Sequence, residues 1–270
     1  MYKILLPLLL LASLELSAYS DYDMDGVEDS SDQCQNTPLS DLVDTSGCTI
    51  KTLKSPHNFD IIIGMNFTQT AYDTLDKSDT TTASLQVDYY YKALSLQAST
   101  SYYDTQSVTY NESGSNDSFI GAYYKLMPTS NLNITLGAGA ILATYMTTLN
   151  NNNTDYVASL SASYMLDNVN LFGGYSYTLV NDEDVGTDVI YQNSSSYNLG
   201  LGFYPTNRLY VSASYNNSES VYTNVDVIET ASFYGYYKID ENWFTTLSYA
   251  YGLSDSASDS FTSLRLGYYF

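Results

Sequence analysis

One pattern governs what this chain can fold into: from about Asn58 onward, apolar residues alternate with small or polar ones in segment after segment. About twelve such segments, each of roughly ten residues, can be marked. In 131–145, Leu132, Ile134, Leu136, Ala138, Ala140 and Leu142 form one face and Asn133, Thr135, Gly137 and Gly139 the other. Tyr156, Ala158, Leu160, Ala162 and Tyr164 stand opposite Val157, Ser159, Ser161 and Ser163. Tyr197, Leu199, Leu201 and Phe203 stand opposite Asn198, Gly200, Gly202 and Tyr204. A period of two is the signature of strands with two different surroundings. A soluble sandwich would carry Lys, Glu and Arg on its second face. Here that face is Ser, Gly, Ala, Thr and Asn, which suits a crowded or water-filled lumen.

The connections alternate in length. Short turns fall at Lys92-Ala93, Met127-Pro128-Thr129-Ser130, Asp167-Asn168, Pro205-Thr206-Asn207 and Asp240-Glu241-Asn242. Longer polar loops fall near 70–80, 104–117, 147–155, 179–195, 216–228 and 252–260. Six long connections and five short ones give an even strand number with both ends of the barrel on the short-turn side. The expected fold is therefore all-β: a transmembrane antiparallel up-and-down β-barrel of about 12 strands over 58–270, with periplasmic turns and extracellular loops. The last segment places Leu264, Leu266, Tyr268 and Phe270 on one face. A final strand with an apolar face and a terminal Phe resembles the signal that bacterial outer-membrane barrels present to the barrel-assembly machinery, an implied partner.

Charge fits this topology. The 270 residues hold 30 acidic and 9 basic side chains, a formal charge of −21. The acids gather in the long loops: Asp73, Asp76 and Asp79; Asp182, Glu183, Asp184 and Asp188; Glu219, Asp226 and Glu229; Asp255 and Asp259. Lys92, Lys125, Arg208 and Lys238 flank short turns, where their heads can reach phospholipid headgroups. Such a balance excludes nucleic acid as a partner. Outer-membrane lipids and lipopolysaccharide are the expected surroundings, and divalent cations could bridge the acidic loops to the latter. Thirty tyrosines against one tryptophan and nine phenylalanines supply aromatic girdles, with pairs at Tyr89 to Tyr91, Tyr102-Tyr103, Tyr123-Tyr124, Tyr236-Tyr237 and Tyr268-Tyr269.

The amino terminus gives the compartment. Lys3 precedes an apolar run from Ile4 to Leu14, and Ala18-Tyr19-Ser20 supplies small residues for a signal peptidase, so 1–20 reads as a secretory signal, with cleavage after Ser20 or after Ala18. The bacterial outer membrane follows as the location, with the next segment in the periplasm.

That segment, 21–50, carries specific chemistry. It begins Asp21-Tyr22-Asp23-Met24-Asp25-Gly26-Val27-Glu28-Asp29-Ser30-Ser31-Asp32, with acids at loop positions one, three, five and twelve and Gly at six, the spacing of a calcium loop. Asp at twelve replaces the usual Glu. With the following Gln33-Cys34 and the later Val43-Asp44-Thr45-Ser46-Gly47-Cys48, the segment resembles a thrombospondin type 3 repeat, the calcium-binding linker of OmpA-like proteins. The resemblance covers about 28 residues. It implies Ca2+ at Asp21, Asp23, Asp25, Val27 and Asp32, with Asp29 in support. In OmpA-like proteins the repeat lies between the barrel and a peptidoglycan-binding domain; here it precedes the barrel, so wall anchoring is not implied. Cys34 and Cys48 are the only cysteines, and an oxidising envelope lets them pair. Closing that loop contributes roughly 3 kcal/mol in the chain-entropy model. A linker, 51–57, follows.

Catalysis finds no constellation. His57, the single histidine, sits before the first strand, away from any wall serine or acid pair. The expected function is a narrow passive channel for small solutes or cations; the alternative is a non-conducting, adhesin-like surface barrel using its acidic loops. Small inward residues, among them Gly121, Gly137, Gly139, Gly200, Gly202 and Gly267, are taken to leave room for water. Asp60, Asp88, Lys92 and Arg265 are expected to form a charge cluster in the lumen, with Arg265 partnered by Asp60 or Asp88.

Overall fold

The computed structural model describes residues 21, 23, 27–35, 37, 43–50, 57–71, 77–146, 151–186 and 189–270. The expected signal, 1–20, and most of the expected linker lie outside the described residues, as do Asp73, Asp76 and Asp188 of the loops. The chain divides into two units, residues 1–55 and 56–270.

Among its described residues, every element of the larger unit is an antiparallel strand. They are β1 (His57–Thr70), β2 (Ser78–Tyr91), β3 (Leu94–Ser107), β4 (Asn111–Ser115), β5 (Ser118–Leu126), β6 (Leu132–Leu142) and β7 (Asp155–Leu166), followed by β8 (Val169–Leu179), β9 (Ser194–Thr206), β10 (Leu209–Ser218), β11 (Ile228–Lys238), β12 (Trp243–Gly252) and β13 (Ser260–Tyr269). Sequence neighbours pair throughout except at β4 and β5, where β5 pairs with β3 instead, and β1 also pairs with β13, from Asp60↔Tyr269 to Gln69↔Ser260. The backbone amides of Phe59 and Phe270 close the seam by donating to each other's carbonyls, at 2.8 and 2.9 Å. Of the thirteen strands, β4 pairs only with β3, so twelve form the closed ring.

Burial is inverted relative to a soluble protein. Leu199 and Leu201 are 63% and 58% exposed, and Ile61, Ile63, Phe67, Leu264 and Leu136 also point outward, uncovered. Among the described apolar residues only Ile62 and Ala257 are buried. A closed ring satisfies every strand's backbone groups internally, and this apolar exterior matches hydrocarbon, so the barrel spans a membrane.

The expected turns hold, with two adjustments. At the tight turns, Lys92 and Asp167 take left-handed φ of 54° and 52°, the sign that two-residue hairpin loops require. The turn expected at Pro205-Thr206-Asn207 shifts to Asn207-Arg208: β9 runs through Thr206, whose Oγ1 accepts from Leu209 N at 3.1 Å. The stretch 104–117 is not a loop throughout. β3 continues to Ser107 and returns as β4, which takes over the edge of β3 that β5 leaves after Ser99. Beyond the apolar belt no side chain needs hydrocarbon, so this polar hairpin carries no alternation that a sequence reading could detect.

Candidate functional site

Alternation assigns every inward residue, and the lumen wall divides into two chemically different parts. On β13, β1 and β2 it is charged. Asp60 and Asp88 stand directly opposite each other on β1 and β2, only 9% and 7% exposed. Asp60 Oδ2 accepts from the Tyr90 hydroxyl at 3.0 Å, and Asp88 Oδ2 accepts from Gln86 Nε2 at 2.7 Å. Asp60 Oδ1 is buried without a hydrogen-bond partner. Arg265 Nη2 donates to Gln86 Oε1, while its Nε has no partner. Gln86 thus stands between the guanidinium and Asp88.

That arrangement depends on Gly64. Gly64 is the cross-strand partner of both Arg265 and Ser84, so the arginine must cross β1 to reach β2. A Cβ on Gly64 would lie 2.8 Å from Arg265 Cγ and 2.8 Å from Ser84 Oγ. The bare backbone leaves the track along which the arginine stem lies.

Three of the four residues expected in the cluster, Asp60, Asp88 and Arg265, line one cavity. Two details differ from the expectation. The direct partner of Arg265 is Gln86 rather than either carboxylate. Lys92 is not among the lining residues: its left-handed turn carries Nζ to 5.2 Å from the ring of Tyr91, on the outward face beside His57. Gln86 and Tyr90, which complete the site, share the inward phase of Asp88 at offsets of two residues, a signal carried by alternation and not by charge.

From β5 to β10 the wall is aromatic over glycine. The Phe119 ring fills the space beside Gly121 and Gly139, where an added Cβ would lie 2.7 and 2.6 Å from it. Tyr123 covers Gly137, Phe172 covers Gly200, and Tyr210 covers Gly202; on β12 the same holds for Phe244 over Gly267. These glycines therefore do not leave open lumen, as the sequence suggested; they seat rings. Alternation also splits each expected girdle pair. Tyr90, Tyr103, Tyr123, Tyr236 and Tyr269 share the inward phase, and only their neighbours face outward. The outward girdle at the short-turn end is built from contacts such as Trp243–Tyr268 at 4.9 Å and Phe59–Phe270 at 5.5 Å.

The cavity at the charged wall has a volume of about 770 Å³. Five carboxylates line it (Asp60, Asp88, Asp117, Asp240 and Glu241) against two cations, Lys238 and Arg265. A second cavity of about 710 Å³ lies among the long loops and shares Asp117 with the first. Several of the described loop acids are bonded into structure. Asp117 Oδ1 accepts from the amides of Thr144 and Tyr145 at 2.9 and 2.8 Å, and Asp182 and Asp155 each accept a backbone amide across the loops at 2.7 Å.

In the smaller unit, Cys34 and Cys48 form the disulfide. Gln33 N donates to Ser46 O at 2.9 Å and Thr37 Oγ1 to Gly47 O at 2.8 Å, which ties the two halves together. Ser46 donates through both its hydroxyl and its amide to Asp44, holding that carboxyl below its ordinary range. Of the expected calcium ligands, Asp21, Asp23, Val27, Asp29 and Asp32 are described, whereas Asp25 lies outside the described residues. Among the described residues no three acidic, histidine or cysteine side chains converge as a metal-holding group. Asp32 Oδ1 accepts from Cys34 N, and Asp23 Oδ2 from Thr37 N, both at 2.7 Å. Asp23 Oδ1 is buried without a hydrogen-bond partner, an orphan that a hard cation would satisfy.

No family model matches the chain, and no curated protein matches it either. Solved structures do resemble it. An outer membrane channel from Pseudomonas putida F1 superposes with a TM-score of 0.64 at 11% identity, covering 81% of this chain and 97% of that one. The NanC porin gives 0.51 at 14% identity over 77% and 97%, and the KdgM porin 0.50 at 12% over 78% and 99%. At these identities the shared property is architecture: the chain folds as a twelve-stranded β-barrel of the bacterial outer membrane.

Proposed function

We propose that the barrel is a narrow passive channel for small solutes, with a preference for cations. The observation that carries this reading is the cavity inside the ring, lined by five carboxylates and two cations and meeting the loop cavity at Asp117. Barrel neighbours described as a channel and as porins support it. Purified protein in planar bilayers should give discrete conductance steps, with a reversal potential in a KCl gradient of the sign set by permeant potassium. A barrel that runs faster unboiled than boiled in detergent gels, yet passes no current, would be the non-conducting surface barrel instead.

The amino-terminal unit belongs to the same proposal as a calcium-binding periplasmic segment resembling a thrombospondin type 3 repeat. Asp21, Asp23, Asp25 and Asp32 would supply carboxylate oxygens, Val27 its carbonyl, and Asp29 supporting charge. Bound Ca2+ would neutralise these acids. Calorimetry should give one ion per chain, and the Asp23→Ala/Asp25→Ala variant should lose it while remaining heat-modifiable. Unchanged stoichiometry in that variant would move calcium away from this segment. The outward girdle, including Phe270, is the surface offered to lipid, lipopolysaccharide and the assembly machinery.

A further inference from the structure

We infer that the lumen cavity binds a small organic cation, a primary ammonium, between the Asp60–Asp88 pair and the rings of Tyr234, Tyr236 and Phe244. This rests on the lumen reading above and names its solute class.

Two carboxylates face each other across adjacent strands, each less than a tenth exposed. Tyr90 and Gln86 satisfy one oxygen of each, and Asp60 Oδ1 is left with nothing. Adjacent buried acids repel, and a buried oxygen without a donor costs free energy that a ligand N–H would recover. Arg265 does not fill this role, because its bonded Nη2 is turned to Gln86. With Lys238 included, two cations face five carboxylates in this cavity, so its charge balance favours further positive charge.

The same cavity explains why the cation is organic. On β11 and β12 it is lined by Tyr234, Tyr236 and Phe244, with Tyr236 and Phe244 stacked at 5.4 Å and 30°. An alkali ion draws on the carboxylates alone, whereas the ring faces beside them add attraction for a cation that carries carbon. An alkylammonium uses both parts of the wall: its ammonium is drawn to the Asp60–Asp88 pair, and the methylenes next to its nitrogen lie against π faces. The volume, about 770 Å³, admits a small molecule.

The test uses the whole barrel in detergent at fixed ionic strength. The midpoint of its heat-modifiability shift is measured in butylammonium chloride, potassium chloride and sodium butyrate, and reversal potentials are measured in the first two. Butylammonium should raise the midpoint above the potassium value in a saturable manner. Asp60→Asn/Asp88→Asn should weaken the apparent affinity on the order of tenfold or more. Tyr236→Leu should weaken it about threefold. Equal midpoints in potassium and butylammonium would overturn the inference in favour of an alkali site or a proton shared by the two acids. A butyrate effect would overturn it in favour of an anion at Arg265. Saturable butylammonium stabilisation without current would sustain the site and defeat the channel; current without that stabilisation would do the reverse.

Discussion

The charged wall of β13, β1 and β2 and the ring-covered wall of β5 to β10 use the same residue for opposite ends. At Gly64 the missing side chain lets Arg265 cross a strand and reach a polar partner. At Gly121, Gly139 and Gly200 it lets rings fold flat and fill volume. The first arrangement is charged, and its buried orphans, Asp60 Oδ1 and Arg265 Nε, belong to ionic groups, whereas those of the second wall, Asn133 Oδ1 and Asn170 Oδ1, belong to neutral amides. The second is packing, with apolar surface removed from a wet lumen. A barrel too narrow to be a wide pore and too wide to be filled by small side chains can thus be stiffened on one side and left chemically receptive on the other.

The largest expected effect breaks the packed side. Gly139→Val places atoms against the Phe119 ring and also against the Ile120 carbonyl, which an added Cβ would approach to 2.7 Å. Backbone cannot yield as a side chain can, so unfolding free energy should fall by about 1–3 kcal/mol, visible as a lower heat-modifiability midpoint. An unchanged midpoint would mean that the rings are free to leave the wall. The next effect belongs to the charged side. Arg265→Ala removes a stem that lies across β1 inside the lumen, so conductance should rise and cation preference sharpen, by about threefold in permeability ratio. Gly64→Ala should move both quantities the same way but less, since it displaces the arginine from its track without removing its charge. If Gly64→Ala lowered conductance, the arginine would have been pushed into the passage rather than off its partner.

Much of this architecture is readable from period-two alternation because the membrane enforces it residue by residue: Leu199 and Leu201 must face lipid, so Gly200 and Gly202 must face inward. The same logic places Asp60, Asp88 and Arg265 in the lumen. Who touches whom is not readable that way. Arg265 reaches past its strand neighbour, so its partner Gln86 follows from side-chain length and the gap at Gly64, neither of which alternation encodes. Composition likewise overstates the girdles, because consecutive tyrosines cannot share a face and one of each pair turns into the lumen. Lys92 departs because a two-residue turn ends the alternation.

The smallest effect lies at the mouth of the charged wall, where Asp240 caps the turn between β11 and β12. Its Oδ1 accepts from the amides of Trp243 at 2.7 Å and Asn242 at 2.8 Å, and these bonds hold the carboxyl below its ordinary value of 3.8, helped by Lys238 and Arg208. A depressed folded value means that the carboxylate stabilises the turn above pH 3.8 and that this contribution is lost as pH falls through the lower, folded value. Because the group is exposed, the barrel as a whole should not register the change. The local amides should. The Trp243 amide resonance is expected to titrate with a midpoint below 3.8 and to stay flat over the same range in Asp240→Asn, which keeps an acceptor without the charge. A midpoint at or above 3.8 would show that the two amides do not hold the carboxylate, and Asp240 would then face the cavity as a free anion beside Glu241.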